Sequence, residues 1–237
     1  GEIQRVLSRQ LDPYYTAPLW IDPVSMAALQ ARCCLDAGLV TEAEMAEVAA
    51  RSRRDACSNP CAQLAWDLPA EEILAEGYFV NPLRRHDCPP ISDGAAAVVL
   101  AAGDVARELS ERPAWIRGID HRIEPHALGV RDLTDSVSTR QAAERAGVAH
   151  GPVKLAELHA PFSVQELILR RSLGLGDDVV VNPSGGALAA NPIMAAGLIR
   201  IGEAAARISR GDADRAVAHA TSGPCLQQNL VCVLEGE

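Results

Sequence analysis

Histidine and cysteine change protonation nearest neutral pH, and this chain carries six of the first and seven of the second. Neither set forms a ligand pattern for a metal. Cys57 and Cys61 stand close together, but no second pair or histidine cluster completes a zinc site. An odd cysteine count, with Cys33 and Cys34 adjacent, argues against a secreted disulfide framework, so a reducing cytoplasm is the expected setting. A different signal lies in Val179–Ile208. Val179-Val180-Val181 is a short β-branched run that reads as a buried strand. Asn182-Pro183-Ser184-Gly185-Gly186 breaks it, because Pro183 cannot donate to a ladder and the glycines admit positive φ or close backbone approach. From Asn191-Pro192, apolar residues recur with helical spacing at Ile193, Met194, Leu198, Ile201, Ala205 and Ile208. Asn191 suits an N-cap and Pro192 the first helical position. The stretch therefore reads strand, glycine turn, helix, with the N–H groups of the helix start offered to whatever lies beside them.

The rest of the chain must hold that stretch in place. At 237 residues it can bury one large core or two smaller ones. Aromatics make up only 3%, so Ala, Val, Leu and Ile must pack it. A net charge of -9 disfavours nucleic acid, and no apolar run approaches the roughly 20 residues of a membrane span or looks like a signal peptide. Helices are expected over Gly1–Gln10, Pro23–Gly38, from Thr41-Glu42-Ala43-Glu44 (a capping-box pattern) to about Ser58, and from Pro69 to about Ala75. Between the first two, Leu11–Pro23 should be irregular. Its Tyr14, Tyr15 and Trp20 either line a tunnel or pack the loop onto the next helices. Ile91–Leu100 reads as a small-residue strand and Gly103–Glu111 as a helix. From Trp115 onward strands (Trp115–Arg122, Lys154–Leu158, Val179–Val181, Arg215–Ala220, Leu230–Leu234) alternate with helices (Asp135–Ala146, Phe162–Leu173, Asn191–Ser209), then close as two strands. The pattern is α/β and layered.

Several segments carry a family likeness. NPSGG before a small-residue helix resembles the NPSGG…GHPxGATG motif of the thiolase superfamily. His86–Leu100, HDCPPISDGAAAVVL, resembles its DCxPISDGAAAVVL strand. Glu157-Leu158-His159-Ala160-Pro161-Phe162 resembles its NEAF/HDAF loop, Thr221-Ser222-Gly223 falls where its CxG motif falls, and SRRDACSNPCAQ resembles its NRxxAxxNPxAQ segment. The resemblance implies a thiolase fold: α-β-α-β-α layers with two mixed five-stranded sheets, the first half incomplete in this chain. It divides the chain into a helical, substrate-covering region (1–88), the last strand and helix of the N-terminal half (89–112), and the C-terminal half (113–237). A lone first-half strand would leave its ladder unsatisfied, so a complementary thiolase-type chain or N-terminal half is expected as partner, in an oligomer.

The resemblance also assigns residues. Thiolase chemistry joins or breaks a carbon–carbon bond beside a thioester carbonyl, using a thiolate, a base and an oxyanion hole. In the family the nucleophilic cysteine lies in the part of the first half not seen here, none of the seven cysteines matches its context, and Cys88 falls on a structural position. His159 matches the loop residue that contacts the thioester oxygen or holds a water. Asn191 falls on the GHP histidine and can donate to an oxyanion but take no proton; capping its helix is the other reading. Thr221 falls on the acid/base cysteine, where a hydroxyl is no base unless activated. His219, two residues back on the strand, either deputises or is a satisfied core group. Ser184, Gly185 and Gly186 shape a pocket floor or merely a tight turn, with Phe162 beside the substrate. Arg51, Arg53 and Arg54 either meet the phosphates of a coenzyme A thioester or form a solvated helix face. The implied substrate is that thioester, with no covalently bound cofactor and no metal. Two expectations follow. One is a subunit of an acyltransferase or of a retro-aldolase on a bulky, steroid-like acyl-CoA, with a small OB-fold/zinc partner. The other is a non-catalytic subunit or lipid carrier that binds acyl-CoA and stabilises a partner.

Overall fold

A computed structural model describes every residue except 1, 8, 10 and 237, with the backbone alone at 2–4. Its helices are α1 Glu2–Leu7, α2 Pro23–Asp36, α3 Glu42–Ala56, α4 Ala70–Ala75, α5 Gly103–Leu109, α6 Val137–Ala146, α7 Ser163–Ser172, α8 Gly186–Ala189 and α9 Ala196–Arg210. Its strands are β1 Trp115–Ile123, β2 Leu155–Leu158, β3 Val180–Val181, β4 Arg215–Ser222 and β5 Gln228–Glu235. The helix expected over Gly1–Gln10 lies partly outside the described residues.

The local signals work as their chemistry requires. Asp22 caps α2 by accepting from the Ser25 N–H at 2.7 Å, with Pro23 at the first helical position. Thr41 and Glu44 form the expected capping box of α3.

The strands make one five-stranded sheet in the order β1-β5-β4-β2-β3. β2 runs parallel to β3 and β4, while β1, β5 and β4 run antiparallel. Ala142 and Ala146 of α6 and Val164, Ile168 and Leu169 of α7 pack with Val217, Val231 and Val233 on one face. Ala204 and Ile208 of α9 pack with Ala216, Ala218, Cys232 and Leu234 on the other. Alanine at the contact points lets α9 lie very close to β4: a Cβ added at Gly197 would sit 2.6 Å from the Ala220 Cβ. The side chains of β1 that share the α9 face are left open, with Ile119 and Ile123 53% and 61% exposed.

Three expectations need correction. Ile91–Leu100 is not a strand. It runs without secondary structure, with Val99 and Leu100 88% and 78% exposed. β-propensity alone cannot make a strand, because a ladder needs a neighbour, and among the described residues no strand lies beside this one. The helix after the glycine turn begins at Ala196, not Asn191, because Pro192–Ala195 forms a turn first and the short helix α8 intervenes. Tyr14, Tyr15 and Trp20 do neither thing expected of them, being 82%, 79% and 91% exposed.

Candidate functional site

The C-terminal ends of β2 and β4, the turn before α9 and the loops at Cys88–Ile91 and Ser222–Leu226 enclose a cavity of about 830 Å³. Its wall is mainly apolar, built by Met26, Phe162, Ile193, Leu198 and Leu226. Into it face His159, Asn191 and Thr221, three residues from three distant stretches of chain.

The glycine turn is the first support. Asn182 takes a positive φ of 51°, which Asn tolerates better than most residues. Its Oδ1 accepts from the Leu158 N–H at 2.6 Å, its Nδ2 donates to Glu166 at 2.7 Å, and Arg51 pairs with the same carboxylate. Gly185 has φ +89°, and a Cβ there would lie 2.6 Å from the Ala56 Cβ, so glycine is required twice over. Behind the turn, the fully buried Glu157 accepts from the Ser184 N–H (3.1 Å), Ser184 Oγ (2.8 Å) and Arg200 Nη1 (2.7 Å). Burial raises the Glu157 carboxyl above its ordinary range against the pull of Arg200. Ser184, Gly185 and Gly186 therefore lie one layer behind the cavity and not on its wall; they brace β2 against α9.

At the cavity, His159 is 5% exposed. Its Nδ1 accepts from the Thr221 backbone N–H at 3.4 Å, and its Nε2 is 3.1 Å from Asn191 Oδ1. Burial drops its pKa to about 4, so the ring is neutral at physiological pH. Asn191 is pinned a second time, its backbone N–H donating to Ser92 Oγ at 3.0 Å while Ser92 donates to Gln63 Oε1 at 2.8 Å. It does not cap a helix, since α9 starts five residues later. Thr221 spends its hydroxyl on the Gln228 carbonyl at 3.0 Å, leaving only its backbone N–H for the site.

His219 is not a site residue by position. β4 points it into the core, where it is fully buried, bonded through Nε2 to Asn229 at 3.0 Å, and lowered to about 3 by desolvation. Phe162 does line the cavity. Of the three arginines, Arg51 pairs with Glu166 and Arg53 is buried, donating to the Leu188 carbonyl at 2.6 Å. Only Arg54, 60% exposed, fits a solvated face. Cys88 and Cys225 line the cavity, but burial pushes both thiols up to about 12, which makes neither a thiolate near neutral pH. Among the described residues no group of three or more His, Cys, Asp or Glu side chains is placed to hold a metal ion, and no helix is long and apolar enough to cross a membrane.

Sequence pattern did not single out Arg200, Ser92 or Gln63 as supports. One signal was available: a glutamate inside the buried strand LAEL demands a buried cation.

No protein-family profile matches the chain. It is 30% identical to the acetyl-CoA acetyltransferase of Methanothermobacter thermautotrophicus over 214 residues, covering 81% of this chain and 56% of that one. It is 29% identical to the benzoylsuccinyl-CoA thiolase subunit BbsB of Thauera aromatica over 184 residues, covering 68% and 48%. The chain thus spans about half the length of the curated relatives it matches. Its fold is that of an Ltp2-ChsH2(DUF35) aldolase, with TM-score 0.77 and 20% identity, covering 95% of this chain and 68% of that one.

Proposed function

From the premise that this chain is a thiolase-superfamily polypeptide in sequence and fold, we propose that it is a subunit of an enzyme acting at the carbon next to an acyl-CoA thioester carbonyl. The specific reaction we favour is retro-aldol cleavage of a bulky, steroid-like 3-hydroxyacyl-CoA. The hydroxyl at C3 gives up its proton, the C2–C3 bond breaks, a carbonyl product leaves, and the electron pair stays as a thioester enolate that is then protonated at C2. The observation that carries this reading is the cavity: large and apolar, with an amide donor at Asn191 placed for an oxyanion, while the cysteine of an acyltransferase would come from the complementary half. An enolate-forming cleavage needs a hole for the oxyanion but no sulfur nucleophile.

In this reading residues 1–88 cover the substrate, 89–112 belong to the first half of the fold and 113–237 form the second. The unpaired Ile91–Leu100 segment and the open β1 face support a complementary thiolase-type chain or N-terminal half, in an oligomer. His159 and Thr221 are both engaged, so the base for the hydroxyl proton comes from that partner or from His86, which lines the same cavity with Nε2 3.2 Å from Glu76. The similar aldolase, named with a DUF35 component, supports a small OB-fold/zinc protein as a further partner. A cytoplasmic location goes with the acyl-CoA substrate.

The engagement of His159 and Thr221 by their neighbours favours a second reading, a non-catalytic subunit or carrier that binds acyl-CoA and stabilises its partner. Asn191→Ala separates the two. Turnover of a 3-hydroxyacyl-CoA by the co-purified assembly should fall more than tenfold with assembly intact; unchanged turnover supports the scaffold. Mass spectrometry of what co-purifies identifies the partner.

A further inference from the structure

The hydrogen bonds around His159 have only one self-consistent assignment. A backbone N–H can only donate, so the Thr221 N–H fixes Nδ1 of His159 as an acceptor. In a neutral ring the proton then sits on Nε2, and Nε2–H must donate to its neighbour, Asn191 Oδ1, at 3.1 Å. With its oxygen engaged, Asn191 has a single remaining direction for its NH2 group. No described residue accepts from that Nδ2, and Asn191 stands on the cavity wall. The Asn191 backbone is held independently by Ser92, itself bonded to Gln63, so the side chain has a fixed base from which to meet His159.

We propose that His159 is a positioning residue, not an acid or base: it orients the Asn191 amide so that its two N–H donors point into the cavity as the oxyanion site. The proposal rests on the acyl-CoA reading given above and specifies how its oxyanion hole is built. A base at His159 would need a lone pair on Nε2 facing the cavity, and the Thr221 N–H forbids it by claiming the other nitrogen. The site needs at position 159 a fixed N–H donor of the right reach, and glutamine supplies one without being able to titrate. Leucine supplies the bulk without the donor.

The test compares the wild-type assembly with His159→Gln, His159→Leu and Asn191→Ala, using propionyl-CoA labelled with carbon-13 at its carbonyl as the probe. Infrared difference spectra should show the bound carbonyl stretch moved to lower frequency in the wild type. That displacement should be kept in His159→Gln and lost in His159→Leu and Asn191→Ala. Persistence in His159→Leu, or loss in His159→Gln, would overturn the positioning role. Nitrogen-15 spectra of histidine-labelled wild-type protein should show the His159 ring protonated at Nε2 and bare at Nδ1. The opposite tautomer would overturn the proposal without any ligand. Failure of the thioester to bind, with the Nε2–H tautomer present, would instead sink the acyl-CoA reading and leave the ring geometry standing.

Discussion

Removal of Arg200 tests the most heavily buried electrostatics of the molecule. Glu157 is fully buried and Arg200 is 3% exposed, at 2.7 Å, with Ser184 Oγ shared between them. In Arg200→Met the carboxylate keeps its two Ser184 donors, and its remaining ion-pair partner among the described residues is Arg207 Nε at 3.8 Å. Breaking a buried pair from one side costs about 3–5 kcal/mol, because the partner charge stays desolvated. With a urea m-value of about 2 kcal/mol/M, the unfolding midpoint should fall by roughly 1.5–2.5 M. Glu157→Gln with Arg200→Met removes both charges, and the double variant should recover to within about 2 kcal/mol of the parent. The assay is urea unfolding followed by circular dichroism at pH 7 for the parent, both singles and the double. A loss under about 1 kcal/mol for Arg200→Met, or strictly additive singles, would refute the claim that this pair braces the glycine turn against α9.

Acid should act on the histidines. His159 is lowered from its ordinary value near 6.5 to about 4, so the unfolded chain binds the extra proton between those values. Its contribution is therefore complete above about pH 6.5 and is lost as pH falls toward 4, about 3 kcal/mol in all. Thermal midpoints should drop across that window, less steeply in His159→Gln; identical slopes would contradict a neutral buried ring. Gly197→Val should push α9 off Ala220, costing about 1–3 kcal/mol in urea unfolding and weakening any ligand of the cavity, since the added Cβ starts 2.6 Å from another carbon. Ile208→Ala, at a fully buried α9 position, should cost about 2–5 kcal/mol in the same assay while leaving the cavity wall intact.

The elements that sequence reading recovered are those whose causes are local. The Thr41–Glu44 capping box and the Pro23 helix start carry their instructions within a few residues, as does the β-branched Val179–Val181 run, although its strand, Val180–Val181, lies at the sheet edge with Val180 54% exposed and is not buried as expected. Motif likeness brought His159, Asn191 and Thr221 together, and all three do face one cavity. Long-range causes were not legible. Asn191 looks like a helix cap because Asn-Pro is a good start anywhere, yet here tertiary bonds from His159 and Ser92 claim it. His219 and Thr221 share a strand face, but that face meets the core at His219 and reaches the cavity only at its end. Ile91–Leu100 has strand composition and no neighbour, a fact no local pattern contains.

The three tryptophans are unevenly placed: Trp20 is 91% exposed and Trp66 39%, and Trp115 is half-buried under Arg107. None sits in the packed interior, so intrinsic fluorescence will follow unfolding poorly. Trp66 is different, because it lines the cavity, stands edge-on to His86 at 6.0 Å, and lies 5.5 Å beneath the Arg53 guanidinium. Its indole emission is thus a built-in optical gauge of cavity occupancy, and a background carrying both Trp20→Phe and Trp115→Phe would isolate it for titrating acyl thioesters without any attached dye.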